Sequence, residues 1–217
     1  ICVADLIALS VDSVYNNPGE AGAFGIAIAT VLFAVQIYCD FSGYTDIAIG
    51  CARIMGIRLM KNFDHPYSAT TVKEFWSRWH ISLSSWFRDY LYIPLGGSRC
   101  SKFKWFRNVL VVWFLTGMWH GASWNFVLWG LYYAVLLVVE KLFLLKPLKK
   151  VPVLAHVYVM LMVVISFVLF NAESFAQAGG DLAGMFGFAG VPLVSAETLY
   201  YLRSFGVLFV AGILGAT

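Results

Sequence analysis

A chain of 217 residues with 60% hydrophobic and only 12% charged side chains is too poor in charge to clothe a soluble domain, where about 25% is usual. Fifteen Lys and Arg against twelve Asp and Glu leave a net charge of +3, too small an excess to argue for nucleic acid. The composition is that of a membrane protein, and an all-α, polytopic transmembrane bundle is the expected fold class.

The chain opens on Ile1 and closes inside the apolar run Val207 to Leu214. It is expected to be a piece of a longer protein, truncated at both ends. Residues 1–20 start apolar and turn polar at Asn16-Asn17-Pro18-Gly19-Glu20, a loop signal. A first spanning segment follows from Ala21 to Cys39, and a second apolar patch runs from Ile47 to Ala52. Between them Asp40 and Asp46 are carried at or near membrane depth. They fit either interfacial caps and an unwound turn, or the lining of a polar cavity.

Residues 53–107 carry ten Lys or Arg against Asp64, Glu74 and Asp89, a bias that places this stretch on the cytoplasmic side. Its cluster from Arg99 to Arg107 suits anionic lipid head groups. Within it, Val72 to Tyr92 is helical in pattern, with Phe75, Trp76, Trp79, Leu83, Trp86, Phe87 and Tyr90 on one face. Aromatics opposite cations fit a helix lying in the interface, or two short helices meeting near Ser84-Ser85. His80 stands at the border of the apolar face, placed either to snorkel or to point inward.

The run Val109 to Val139 is longer than one crossing needs, since about 20 apolar residues suffice. Basic residues flank both ends, Arg107 before it and Lys141, Lys146, Lys149 and Lys150 after, which is awkward for a single crossing. A broken or re-entrant segment, bent near Gly117 to Ser123, resolves both points, with a long tilted helix as the alternative. His120 lies at the bend. On its residues alone it is equally a histidine packed in a bundle and one facing a wet cavity. Val153 to Phe170 is a further span, with His156 snorkelling near its end. Residues 171–196 read as a Gly-rich loop with a short amphipathic helix, and Leu199 to Thr217 as a membrane helix. Cys2, Cys39, Cys51 and Cys100 lie far apart without CxxC or Cys/His spacing, so no metal site is expected.

Two long strings in order, FWSRWHISLSSWFRDYLYIPLGG and LTGMWHGASWNFVLWG, closely resemble the membrane-bound O-acyltransferase family. The branch they resemble is the bacterial one that contains alginate O-acetyltransferase, with the D-alanyl transfer protein of teichoic acid modification as a neighbour. DFSGYTDIAIG and NFDHPYSATTVKEFW look like the same branch, and the likeness covers about residues 33–140 strongly. It implies a single membrane-embedded acyltransferase domain over 1–217, with helices around a tunnel, in the bacterial cytoplasmic membrane. Matched by motif, His120 is the family's catalytic histidine and His80 its second active-site position. The implied donor is a thioester, acetyl-CoA or an acyl-carrier protein, used as co-substrate with no permanently bound cofactor. The implied acceptor is an extracytoplasmic polysaccharide, reached often through a partner acyltransferase, with membrane lipid as the surrounding partner.

The residues suit that chemistry independently. A hydroxyl is a poor nucleophile until a base takes its proton, and imidazole is tuned for that task near neutral pH. His120 is the expected base; His80 is expected to position the acceptor or to assist the leaving thiolate. The oxyanion formed on attack needs donors, for which Trp119, Trp124, Asn125 or a backbone N–H near Gly121 are candidates. Asp40 and Asp46 are candidates to line the cavity or orient a histidine. D-alanyl transfer is the alternative within the same chemistry. A transporter with an intramembrane Asp and His path is the alternative from another class, though the chain shows no internal repeat.

Overall fold

The computed structural model describes residues 2–216, which are 78% helical with no strand among them. The helices are α1 (Cys2–Asn16), α2 (Pro18–Ile54), α3 (Val72–Arg78), α4 (Ile81–Phe87), α5 (Lys102–His120), α6 (Trp124–Val139), α7 (Leu145–Leu148), α8 (Pro152–Asn171), α9 (Phe175–Met185) and α10 (Ala196–Ala216). Among the described residues three stretches are long and apolar enough to cross a membrane: Pro18–Ile54, Trp124–Leu148 and Pro152–Asn171. The chain divides into two compact units, residues 1–59 with 171–217, and residues 60–170.

In the first unit α1, α2, α9 and α10 pack together. Ile7 and Val11 of α1 meet Leu32 and Val35 of α2 and Phe209 of α10. Pro18 stands in the first turn of α2, where its missing N–H costs nothing. The helix kinks at Gly22 (φ 73°), where a Cβ would come within 2.7 Å of the Pro192 carbonyl oxygen. The kink leaves the Ala21 carbonyl without its helical partner, and the Ser195 hydroxyl (2.9 Å) and the Thr198 hydroxyl donate to it instead. Beyond the kink α2 runs unbroken to Ile54, so the span expected to stop at Cys39 continues. Asp40 and Asp46 therefore stand on helix, both exposed, and neither caps an end nor sits on an unwound turn. The short amphipathic helix expected in 171–196 is α9. Ser174 caps it by accepting from the Gln177 N–H.

The second unit is built on α5 and α6. The expected single apolar run is two helices, broken at Gly121-Ala122-Ser123, and Ser123 caps α6 by accepting from the Asn125 N–H. The pair is an antiparallel hairpin. Trp105 and Val109 pack on Ala134 and Val138, while Gly117 and Gly130 meet near the tip. Here glycine is required. A Cβ on Gly117 would overlap the Phe126 carbonyl oxygen, and one on Gly130 the Trp113 carbonyl oxygen. The awkward basic flanks are explained too, because the hairpin returns both to one end. Lys141 Nζ lies 3.9 Å above the Trp105 ring. The helix α8 joins through Tyr132, whose hydroxyl donates to the Met162 carbonyl (2.9 Å), and through Tyr133 and Ser166, hydroxyls 2.6 Å apart.

The aromatic stretch Val72–Tyr92 folds as two short helices, as one of the two expectations had it. Their junction is at Trp79-His80, however, not at Ser84-Ser85. After α4 the chain continues as a π-helical turn, Arg88–Tyr92.

Candidate active site

The loop that carries NFDHPYS fixes the α3–α4 junction from outside. The Ile81 N–H donates to the Asn62 carbonyl (2.9 Å), and the Ser82 N–H and hydroxyl donate to Asn62 Oδ1 (3.1 and 2.6 Å). The Asp64 N–H donates to the Arg78 carbonyl (3.0 Å). Asn62 thereby satisfies the first free N–H groups of α4, the task of a cap, from 20 residues away in sequence. Between these bonds His80 is held in the left-handed region, φ 45° and ψ 56°. A non-glycine residue there costs about 1–2 kcal/mol, and such strain tends to be kept where function needs it.

A second anchor holds α3 to the hairpin. Glu140, 1% exposed, follows the last turn of α6, and its Oε2 accepts from the Val72 N–H at 2.7 Å. Trp76 then inserts its ring among Trp113 (4.8 Å between centroids), Trp129 (5.6 Å) and Tyr133 (4.8 Å). Edge-on packing of this kind gives aromatic rings a defined orientation as well as buried area. The result is a rigid α3 whose far end delivers Trp79 and His80. Trp79 is buried against Phe75 and Phe167, and His80 lies half-buried.

His120 is the last residue of α5, at the hairpin tip. Its ring neighbours are Trp119 (5.0 Å), Trp129 (4.9 Å), Phe170 (5.4 Å) and Phe126 (6.4 Å), and the imidazole is half-buried among them. A Cβ on Gly121 would reach within 2.6 Å of the Phe126 ring, so the glycine lets that ring close the tip. Trp119 connects the two motifs. Its ring lies 6.0 Å from that of His80 and 5.0 Å from that of His120. Burial lowers the His80 pKa to about 4, so its ring is neutral through the physiological range, with one nitrogen to donate and one to accept.

The structure thus brings together three of the residues singled out in sequence: His80, Trp119 and His120. Asn125 is buried on the first turn of α6, beside the tip, while Trp124 is 71% exposed. Asp40 and Asp46 belong to the other unit. Sequence reasoning passed over Asn62, Glu140 and Trp129. The first lies in the NFDHPYS string, where nothing local marks its partners twenty residues on. Glu140 directly follows the apolar run, and its partner Val72 lies 68 positions away. Trp129 had no signal beyond its place in the motif.

The model of the family described as MBOAT, membrane-bound O-acyltransferase, matches residues 9–174. The chain belongs to the membrane-bound O-acyltransferase family. Among relatives, the Azotobacter vinelandii protein named "Probable alginate O-acetylase AlgI" is 40% identical over 191 residues, 87% of this chain and 38% of its own length. The Helicobacter pylori "Peptidoglycan O-acetyltransferase" is 35% identical over 197 residues, 89% of this chain and 37% of its own. The Bacillus subtilis "Teichoic acid D-alanyltransferase" is 38% identical over 119 residues, 51% of this chain and 30% of its own. The chain therefore spans under two fifths of the length of these membrane-bound O-acyltransferase relatives. Within that span the family match takes in both histidine motifs and the whole of the 60–170 unit.

Proposed function

We propose that this chain is the histidine-bearing part of a membrane O-acyltransferase, and that the acyl group is acetyl. The observation that carries the reading is that His80, forty residues from His120 in sequence, brings its ring within 6.0 Å of Trp119, the ring beside His120. Family membership supplies the reaction class, and two relatives over most of the chain carry O-acetylase or O-acetyltransferase in their names. The teichoic acid D-alanyltransferase match covers 51% of the chain, which ranks D-alanyl transfer second. The proposed acceptor is a hydroxyl of an extracytoplasmic polysaccharide, reached directly or through a partner acyltransferase, with the protein in the bacterial cytoplasmic membrane; the words alginate and peptidoglycan in the relatives' names support a polysaccharide acceptor.

In this reading His120 takes the proton of the acceptor hydroxyl as its oxygen attacks the thioester carbonyl. The tetrahedral oxyanion accepts from the Trp119 indole N–H or the Asn125 amide. The C–S bond then breaks, and the thiolate of coenzyme A or of a carrier's pantetheine recovers the proton from the His120 imidazolium. Neutral His80 hydrogen-bonds the acceptor or the departing sulfur. The aromatic walls keep bulk water from competing for the acyl group.

The test is His120→Ala in the full-length protein, with transfer of radiolabelled acetyl from acetyl-CoA or acetyl-loaded carrier as the readout. Loss of at least about 100-fold is expected, at the scale of general-base catalysis, with membrane insertion and protein level unchanged. Transfer within a few-fold of the native rate would remove His120 from the role of base.

A further inference from the structure

We propose that the end of the α5–α6 hairpin away from His120 is a binding surface for anionic phospholipid, built from cations of both basic clusters. Residues 60–170 hold twelve of the fifteen Lys and Arg but only four of the twelve Asp and Glu. All four carboxylates are committed elsewhere. Asp64 pairs with Lys61 (2.6 Å), Glu74 with Arg78 (2.6 Å) and Asp89 with Arg88 (2.7 Å), while Glu140 is buried on the Val72 N–H. Of the remaining cations, Lys73 neighbours Glu140, while Arg99, Lys102, Lys104, Arg107, Lys141, Lys146, Lys149 and Lys150 have no carboxylate of this unit left to neutralise them. All are exposed.

The hairpin is what makes them one surface. In sequence Arg99–Arg107 and Lys141–Lys150 are two clusters separated by the apolar run. In the fold Lys141 lies on Trp105, and Val138 packs beside Val109, so the N-terminal end of α5 and the chain leaving α6 are neighbours. Lys73 joins them at the start of α3, which Glu140 binds. The second observation selects the occupant. Large apolar side chains are interleaved with the cations and stand free: Phe103 is 77% exposed, Phe143 70% and Leu142 52%. A soluble phosphorylated donor would cover the charges and leave these rings in water. A bilayer surface takes both, with phosphates at the level of the cations and rings among the upper acyl chains. The inference depends on residence in a membrane and not on the acyl-transfer reading.

The experiment uses full-length protein in mixed micelles of phosphatidylglycerol and phosphatidylcholine, with retained lipids counted by native mass spectrometry. Phosphatidylglycerol is expected in several-fold excess, an excess that shrinks as salt is raised. Substituting Lys102, Lys104, Lys146 and Lys149 together by Gln is expected to bring the two lipids to parity, while the same four changed to Arg keep the preference. Equal retention of the two lipids by the native protein overturns the proposal, and needs no variant to fold. So does a Gln variant that keeps the preference. If that variant instead shows a raised KM for the thioester donor with its lipid preference intact, the cations serve the donor's phosphates and the lipid assignment is wrong.

Discussion

At position 80 the chain accepts a backbone conformation that a histidine is ill suited to hold, and a glycine would hold freely. Replacing the histidine by glycine therefore separates what the ring does from what the backbone conformation requires. His80→Gly is expected to leave the melting temperature within a few degrees of native, since relief of about 1 kcal/mol of strain offsets the lost ring contacts. Acyl transfer is expected to fall by ten-fold or more, roughly the value of one positioned hydrogen bond. His80→Asn, which tolerates the same φ and keeps an amide donor and acceptor, is expected to recover part of the rate. A large fall in stability with transfer preserved would make His80 a structural residue. The low pKa adds a signature. Burial disfavours the charged ring, so His80 stays neutral as pH falls from 8 and protonates only near pH 4. In the unfolded chain the same ring protonates near pH 6.5, so its contribution to stability is intact above that value and is lost as pH falls toward 4. An acid limb of activity above about pH 5 then belongs to another group, and persists in His80→Asn.

Elements put these rings in place, and the hairpin crossing is the closest contact among them. Gly117 and Gly130 each face a backbone carbonyl of the opposite helix, and backbone cannot step aside as a side chain can. Gly117→Ala or Gly130→Ala is expected to force α5 from α6 and to cost about 1–3 kcal/mol in unfolding measurements, the range for overpacking. Transfer should fall with it, because His120 ends α5 just three residues beyond Gly117. Gly50→Ala on α2, where a Cβ meets nothing within 4 Å, is the matched control and should be neutral or slightly stabilising. Equal behaviour of the three variants would contradict the close crossing. The hairpin itself was legible in the sequence, because a run of thirty-one mostly apolar residues with basic flanks at both ends does not suit one crossing, and small residues marked the bend. The α3–α4 junction was not. Helical periodicity carries smoothly through Trp79-His80, and the break is imposed by Asn62, whose bonds to Ile81 and Ser82 no local pattern reveals. The same holds for Glu140 and Val72, joined across 68 positions. The cap or unwound-turn reading of Asp40 and Asp46 failed for the opposite reason. A polar DFSGYTD stretch looked like a turn, but it lies inside one long α2 because its neighbours on both sides propagate helix.

Over the whole molecule, charge is sorted as sharply as hydrophobicity. Residues 1–59 and 171–217 hold eight of the twelve acidic residues and three of the fifteen basic ones, while the 60–170 unit holds the rest. Because cations favour the cytoplasmic side, the basic end of the hairpin is expected to face the cytoplasm. At 1.5 Å per residue, the 19 residues of α5 extend about 28 Å and the 16 of α6 about 24 Å, against a hydrocarbon core of about 30 Å. Each arm is thus long enough to carry its tip deep into the bilayer, and the return to one end means that Lys102 and Lys149 face the same compartment. In a cysteine-free full-length background, Lys102→Cys and Lys149→Cys are both expected to react with a membrane-impermeant maleimide in inverted vesicles and to be protected in intact cells. Ser123→Cys, at the tip beside His120, should react slowly or not at all from the cytoplasmic side. Labelling of Lys102→Cys and Lys149→Cys from opposite sides would mean that 102–149 crosses the membrane once, and the hairpin that brings His120 to His80 could not stand.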